Sequence, residues 1–206
     1  MGVLVIETAT TACSVALFDD LNGAPIASDH VVIGRGHAER LIPMISALPE
    51  RGRAQIIAVS IGPGSFTGLR IGIAAARALG VAWGSDVRGY PSLAIVAAQA
   101  FAEFPATPVT VCMNGGHGEY FMQNFDAANL PQDDAVSATL EDAIRLTQHD
   151  LVVGDRASAL AQLCGPHTRA LELLPDARFF PGIATPLLTD RIVPVYGRAP
   201  DAKLPR

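Results

Sequence analysis

Gly62-Pro63-Gly64-Ser65-Phe66-Thr67-Gly68-Leu69-Arg70-Ile71-Gly72 is the stretch on which the fold turns. It follows Ile56–Ile61, an apolar run that reads as a buried strand. Three glycines and Pro63 then mark a sharp turn, and from about Gly68 to Gly84 the chain becomes rich in Ala, Leu and Ile, which reads as a helix. Strand, glycine turn and helix N-terminus gather several backbone N–H groups in one place, where the helix dipole also favours an anion. Gly64, Ser65 and Thr67 are therefore candidates for holding a phosphate or carboxylate. The turn is not a P-loop, because no Gly-Lys-Ser/Thr follows. Equally, the glycines would serve tight turning and close packing alone.

The helix carries a second pattern. Gly72, Ala76, Gly80 and Gly84 recur every four residues as a ridge of small side chains. Leu69, Ile71, Ile73, Ala74, Ala75, Ala78, Leu79 and Ala82 leave almost no polar side, and only Arg70 and Arg77 interrupt it. Such a helix is buried nearly all round, with one side on a sheet and the other under a second helix or a partner protein.

The flanking sequence extends the pattern in both directions. Val3–Glu7, Cys13–Phe18 and Pro25–Ile33 read as three strands, with a hairpin loop at Asp19–Gly23 between the second and third. A helix over His37–Leu48 puts Leu41, Met44, Ile45 and Leu48 on one face, with Pro43 kinking it or lying in its first turn. A short strand Val87–Tyr90 and a helix Pro91–Phe104 follow the central helix. Pro105–Pro108 marks a boundary, giving subdomains over 1–104 and 105–206. Beyond it come a hairpin around Asn114–Gly118 (strands 109–113 and 120–124), a helix over 139–147, a strand 151–153 and a helix 157–163. The proline-rich remainder is poorly periodic, and no short repeat is visible. Three strands, helix, strand, helix, strand, helix is the order of a ribonuclease-H-like unit. The expected fold is thus α/β and actin-like: two subdomains with mixed sheets, the second reduced.

Composition limits the function. Half of the 206 residues are hydrophobic and 17% are charged, so the chain is globular. No apolar stretch reaches the roughly 18 residues of a membrane span. The N-terminus lacks the basic start and cleavage site of a signal peptide, and Ile6 stands where a myristoylation motif wants Ser or Thr. Cys13, Cys112 and Cys164 show no metal or redox spacing. These features predict a cytoplasmic protein. A net charge of −5, with only a mildly basic end (Arg191, Arg198, Lys203, Arg206), makes a poor grip for RNA.

Glu7-Thr8-Ala9-Thr10 with Cys13–Leu17, His37-Ala38-Glu39-Arg40-Leu41-Ile42-Pro43, and Gly62–Gly72 together resemble the TsaB (YeaZ) family. The closing Pro194-Val195-Tyr196-Gly197-Arg198 resembles that family's Pro-Val-Tyr-x-Arg. The match is dense from residue 3 to about 104. It implies an actin-like fold and a catalytically silent relative of TsaD, the subunit that transfers threonylcarbamoyl to the adenosine beside the tRNA anticodon. It further implies a TsaD partner docked through the two N-terminal helices, cooperation with TsaE, and tRNA contacted only through the complex. His37, Leu41, Met44, Ile45, Leu69, Gly72, Ile73, Ala76, Gly80 and Gly84 are the expected partner-binding residues. Ala76→Trp is then expected to leave melting near normal and abolish TsaD binding, whereas an inward-facing ridge would be overpacked.

TsaD-like catalysis uses a His-x-x-x-His pair that reaches one metal. His30, His37, His117, His149 and His167 contain no such pair, and Tyr90 and Ala94 stand at the corresponding places. No catalytic residue, metal or tightly bound cofactor is expected. ATP or ADP at the complex interface and homodimerisation of the isolated chain stay open.

Three departures from the family stand out. Glu7 replaces the usual Asp, whose counterpart in actin-like ATPases helps hold a metal–nucleotide. Asn114-Gly115-Gly116-His117-Gly118-Glu119 replaces Asp-Ala-Arg-Arg-Gly-Glu. The C-terminal region is shorter than usual.

The alternative is an autonomous actin-like kinase or ATPase with Glu7, Thr8, Thr10, Ser65 and Thr67 around a phosphate, although no lysine or carboxylate pair forms a metal clamp. A peptidase is less compatible, since Ser65 does not lie in a Gly-x-Ser-x-Gly elbow.

Overall fold

The computed structural model describes residues 2–21 and 23–197. Asn22 of the hairpin loop, and Arg198, Lys203 and Arg206 of the basic end, lie outside the described residues. Strands β1 (Val3–Glu7), β2 (Ala12–Phe18) and β3 (Ala27–Val32) form an antiparallel meander. Strands β4 (Ile56–Gly62) and β5 (Asp86–Pro91) add in parallel beside β1, giving the order β3-β2-β1-β4-β5.

Every residue of β1 is buried, because both faces of this central strand are covered. Alternation then divides the core. Leu4 and Ile6 pack with Met44, Ile45, Ile73 and Ala76 from helices α1 (His37–Ala47) and α2 (Phe66–Trp83). Val3 and Val5 face the other way, onto helix α3 (Ser92–Glu103).

The second sheet contains β6 (Val109–Gly116), β7 (Glu119–Phe125), β8 (Val136–Ala138), β9 (Leu151–Val153) and β10 (Arg169–Leu171), in the order β10-β9-β6-β7-β8. Strands β6, β7 and β8 are antiparallel, while β9 and β10 are parallel to β6 and β9 respectively. Helices α4 (Leu140–Leu146) and α5 (Ala157–Cys164) precede β9 and β10. Read from the meander end, this sheet repeats the strand order and connections of the first. The chain is a topological duplication, although no repeat is visible in its sequence.

Helix α3 lies between the two sheets. Leu93 to Ala98 and Ala100 are all buried, in one core with Val5 and Ala58 of the first sheet and Val111, Phe121 and Val153 of the second. After β10 the chain returns to the first sheet. A 3-10 turn over Ala177–Gly182 packs beside β1 and β2, where the Ala177 N–H donates to Ser14 Oγ at 3.0 Å. The buried Asp176 carboxylate is compensated by Arg178, whose Nη2 lies 2.6 Å away. Farther along, Thr189 pairs with Gly89, the Arg77 guanidinium donates to Ile192 O, and the Val195 N–H donates to Ile61 O at 2.7 Å.

Several expectations change here. Pro43 lies in the second turn of an unbroken α1, on the solvent side, where water can take up the carbonyl it leaves unpaired. The second-sheet hairpin is tighter than expected: β6 and β7 run on to Gly116 and Glu119, and only His117 and Gly118, at φ 54° and 82°, make the turn.

The small-residue ridge points inward rather than to a partner. Ala76 is fully buried. A Cβ on Gly72 would stand 2.3 Å from Thr8 Oγ1, and one on Gly80 2.6 Å from Val87 Cγ2. Small side chains at these positions let α2 approach the first sheet. Leu41, Met44, Ile45, Leu69 and Ile73 are core residues, and the buried His37 ring places Nε2 3.1 Å from Ala12 O. Gly84 caps the end of α2 in the left-handed conformation.

Candidate functional site

The glycine motif is built around the turn between β1 and β2. A Cβ on Gly64 would come within 2.4 Å of Ala9 O, and one on Gly68 within 2.0 Å of Thr8 O. The Ser65 N–H donates to Ala9 O at 2.7 Å, and the Thr8 hydroxyl donates to Gly68 O at 2.8 Å. Ser65 itself caps α2 by accepting the Gly68 N–H. Thr8 is therefore buried and occupied, and it does not face a ligand. Thr67 is exposed but lies outside the cleft wall.

Glu7 is also turned away from solvent. Its carboxylate accepts the Ala9 N–H at 2.7 Å and the Tyr90 hydroxyl at 3.3 Å, and Ser60 bonds to it as well. Ser60 Oγ lies 2.5 Å from Ser92 Oγ. Complete burial pushes the carboxyl up from 4.5 to about 7 against the lowering effect of these bonds. Glu7 is a hydrogen-bonding centre inside the first subdomain, not an open metal ligand.

A cavity of about 740 Å³ separates the subdomains. Thr10, Thr11, Gly64, Ser65 and Phe66 form one wall, and Asn114 to His117 with Asp155 form the other. Asp155 accepts the Asn114 N–H at 2.7 Å, and its partial burial raises its pKa. Arg70 and Tyr196 complete the rim. Of the expected phosphate residues, Thr10, Gly64 and Ser65 line this cleft, and Glu7, Thr8 and Thr67 do not. Sequence reasoning missed Phe66, Arg70, Tyr196 and Asp155 as neighbours. The first two lie inside the quoted motif, but nothing local signals their contact with residue 196.

The second candidate surface is the outer side of the α1–α2 pair. Ala38 and Ile42 on α1, and Ala74, Ala78, Val81 and Ala82 on α2, are exposed at helical spacing. Val81 is 89% exposed and Ile42 46%. These residues share two helices with the expected partner-binding set but occupy their opposite faces. Among the described residues, no group of three His, Cys, Asp or Glu side chains is placed to hold a metal, and no helix is long and apolar enough to cross a membrane.

Residues 31–189 match the family described as TsaD, tRNA N6-adenosine threonylcarbamoyltransferase. The chain is 32% identical to the tRNA threonylcarbamoyladenosine biosynthesis protein TsaB of Escherichia coli over 130 residues, covering 61% of this chain and 55% of that protein. It is 30% identical to an uncharacterised protein of Mycobacterium tuberculosis, covering 98% of this chain and 93% of that one. Among solved structures, YeaZ from Pseudomonas aeruginosa matches with a TM-score of 0.80 at 27% identity, covering 95% of this chain and 99% of that one.

Proposed function

The chain belongs to the TsaB (YeaZ) family of TsaD-related proteins, which takes part in tRNA threonylcarbamoyladenosine biosynthesis, and from that premise we propose that it is a non-catalytic subunit that binds TsaD. In this reading it works in the cytoplasm with TsaD and TsaE, supporting threonylcarbamoyl transfer to the adenosine beside the anticodon. One observation carries the proposal: the exposed apolar stripe Ala74-Ala78-Val81-Ala82 of α2 beside Ala38 and Ile42 of α1. Small side chains let a partner helix approach closely, and Ile42 and Val81 supply apolar area to bury. The inward ridge holds α2 to the sheet and Leu41, Met44 and Ile45 hold α1, so the outer stripe is presented on a packed base.

Depletion of the protein is expected to lower threonylcarbamoyladenosine in cellular tRNA, measured by mass spectrometry of tRNA nucleosides. An unchanged level would overturn the proposal. The lone chain, with its net charge of −5, is expected to bind tRNA scarcely at all. Tight, salt-sensitive binding in a filter assay would contradict the indirect role.

A further inference from the structure

The Glu7 carboxyl is joined to the cleft by a line of hydroxyl groups that the subunit role does not use. Ser60 bonds to the carboxyl, and Ser60 Oγ lies 2.5 Å from Ser92 Oγ. Glu7 and Ser60 are fully buried, whereas Ser92, 1% exposed, belongs to the cleft wall. The three side chains come from β1, β4 and α3, so the line crosses from the first sheet to the helix between the sheets.

Proton counting gives this line two arrangements. Each hydroxyl has one proton to donate, and an ionised carboxylate has none. With Glu7 ionised, Ser60 donates to the carboxylate and Ser92 donates to Ser60. With Glu7 protonated, the acid O–H donates to Ser60, Ser60 donates to Ser92, and the Ser92 proton turns to the cleft. Tyr90 does not replace Ser60 in this line. Its hydroxyl proton has a nearer acceptor in Ile6 O, at 3.0 Å against 3.3 Å to Glu7 Oε2. The Ala9 N–H serves Glu7 in both states.

The groups around Glu7 leave its proton to this line. Burial, and then the Glu7 charge, push the Cys13 thiol of β2 up to about 11 and the Tyr90 phenol of β5 well above its usual value, so both stay neutral as Glu7 titrates. Asp176, beside Ser14, is paired with Arg178, and Asp29 of β3 lies 3.8 Å from Arg40 of α1. His30 of β3 stands two strands from Glu7, in register through Ser14, and the His37 ring of α1 is placed against Ala12 O. From α2, Gly68 O takes up the Thr8 hydroxyl and brings no charge. At the far end of the line, Arg70, His117, Asp155 and Tyr196 are the charged or titratable residues of the cleft wall.

We propose that Glu7, Ser60 and Ser92 form a proton relay through which the enclosed carboxyl exchanges its proton with the cleft, and that ionisation of Glu7 turns the Ser92 hydroxyl from the cleft toward the sheet. On ionisation, a water molecule in the cleft takes the Ser92 proton, Ser92 takes the Ser60 proton and Ser60 takes the Glu7 proton. Protonation runs the three transfers in reverse. The start of α3 thus offers a hydroxyl proton to the cleft only while Glu7 is protonated.

Carbon-13 NMR of the wild-type chain reads the switch at equilibrium. The Glu7 carboxyl and Ser92 Cβ signals are expected to move together with one midpoint at about 7, and the Ser92 signal to stay fixed in Glu7→Gln. Infrared detection of Glu7 protonation after a photoreleased proton pulse reads the route. Ser60→Ala and Ser92→Ala are each expected to slow that step by about tenfold or more, and Tyr90→Phe to leave its rate unchanged. Ser92→Ala keeps the route testable if Ser60→Ala fails to fold, and the wild-type NMR titration needs no variant. The proposal is overturned if the Ser92 signal stays fixed while Glu7 titrates. It is equally overturned if the folded serine variants protonate Glu7 as fast as wild type, which would route the proton through local opening of the sheet.

Discussion

Ala76→Trp is expected to destabilise the fold by about 3 kcal/mol or more. Ala76 is fully buried in the core that joins α1 and α2 to the first sheet, with Ile57, Val59 and Ile73 in the same cluster. Its neighbours along the inward ridge leave no slack. Thr8 already occupies the space that a side chain on Gly72 would need, and Val87 the space beside Gly80. An indole at position 76 must push α2 off the sheet or distort the strands beneath it. Gly68→Ala acts in the same direction, because its added carbon would meet the backbone carbonyl of Thr8 rather than a movable side chain. Ala78→Trp, on the exposed side of the same helix, is the control and should melt close to wild type. Urea unfolding followed by circular dichroism measures all three. A near-wild-type midpoint for Ala76→Trp would show that the ridge is not part of the core.

Glu7→Gln is expected to stabilise the protein at pH 8 by up to about 3 kcal/mol, and to have little effect near pH 4. The Glu7 carboxyl rises from 4.5 to about 7 on folding, chiefly because burial penalises its charged form. Between those values the folded chain retains a proton that the unfolded chain has released. Stability therefore falls as pH rises through this window, and the full penalty is present above pH 7. At about 1.4 kcal/mol per pKa unit, the rise accounts for the stated magnitude. Glutamine keeps the acceptor for the Ala9 N–H and has no charge to bury, so the variant should lose this slope. Equilibrium unfolding of both proteins between pH 4 and 8 tests it. A difference between them that does not vary with pH would refute the buried-charge explanation.

The first sheet was legible because β1, β2 and β4 carry apolar runs and the connections carry turn residues. The actin-like reading followed from that order and matches the two mixed sheets observed. The direction of α2 was not legible. A helix apolar on nearly every side has small residues on its sheet face (Gly72, Ala76, Gly80) and on its outer face (Ala74, Ala78, Ala82), so periodicity cannot tell the two apart. What selects the inward face is Thr8, the first residue after β1, which packs beside Gly68 and Gly72.

The same distance in sequence hid the cleft, where Arg70 meets Tyr196 and Asn114 meets Asp155. Glu7 stood out by residue type, but only its contacts with Ala9, Ser60 and Tyr90 show that it faces the interior. The duplication of the second sheet stayed hidden because β8 and β10 have three residues each, too few for a period of two to register.

The most direct measurement of the proposed role is the affinity of purified TsaD for the wild-type chain and for the double variant Ala78→Arg, Val81→Arg. Both positions are exposed, so the variant should melt within about 0.5 kcal/mol of wild type. Two arginines at the centre of a helix–helix contact would be desolvated without partners, so TsaD binding should weaken by about a hundredfold or more. Threonylcarbamoyladenosine formation should fall with it. Loss of self-association by the variant with TsaD binding intact would assign the stripe to a second copy of this chain. A folded double variant that binds TsaD as tightly as wild type would contradict the account.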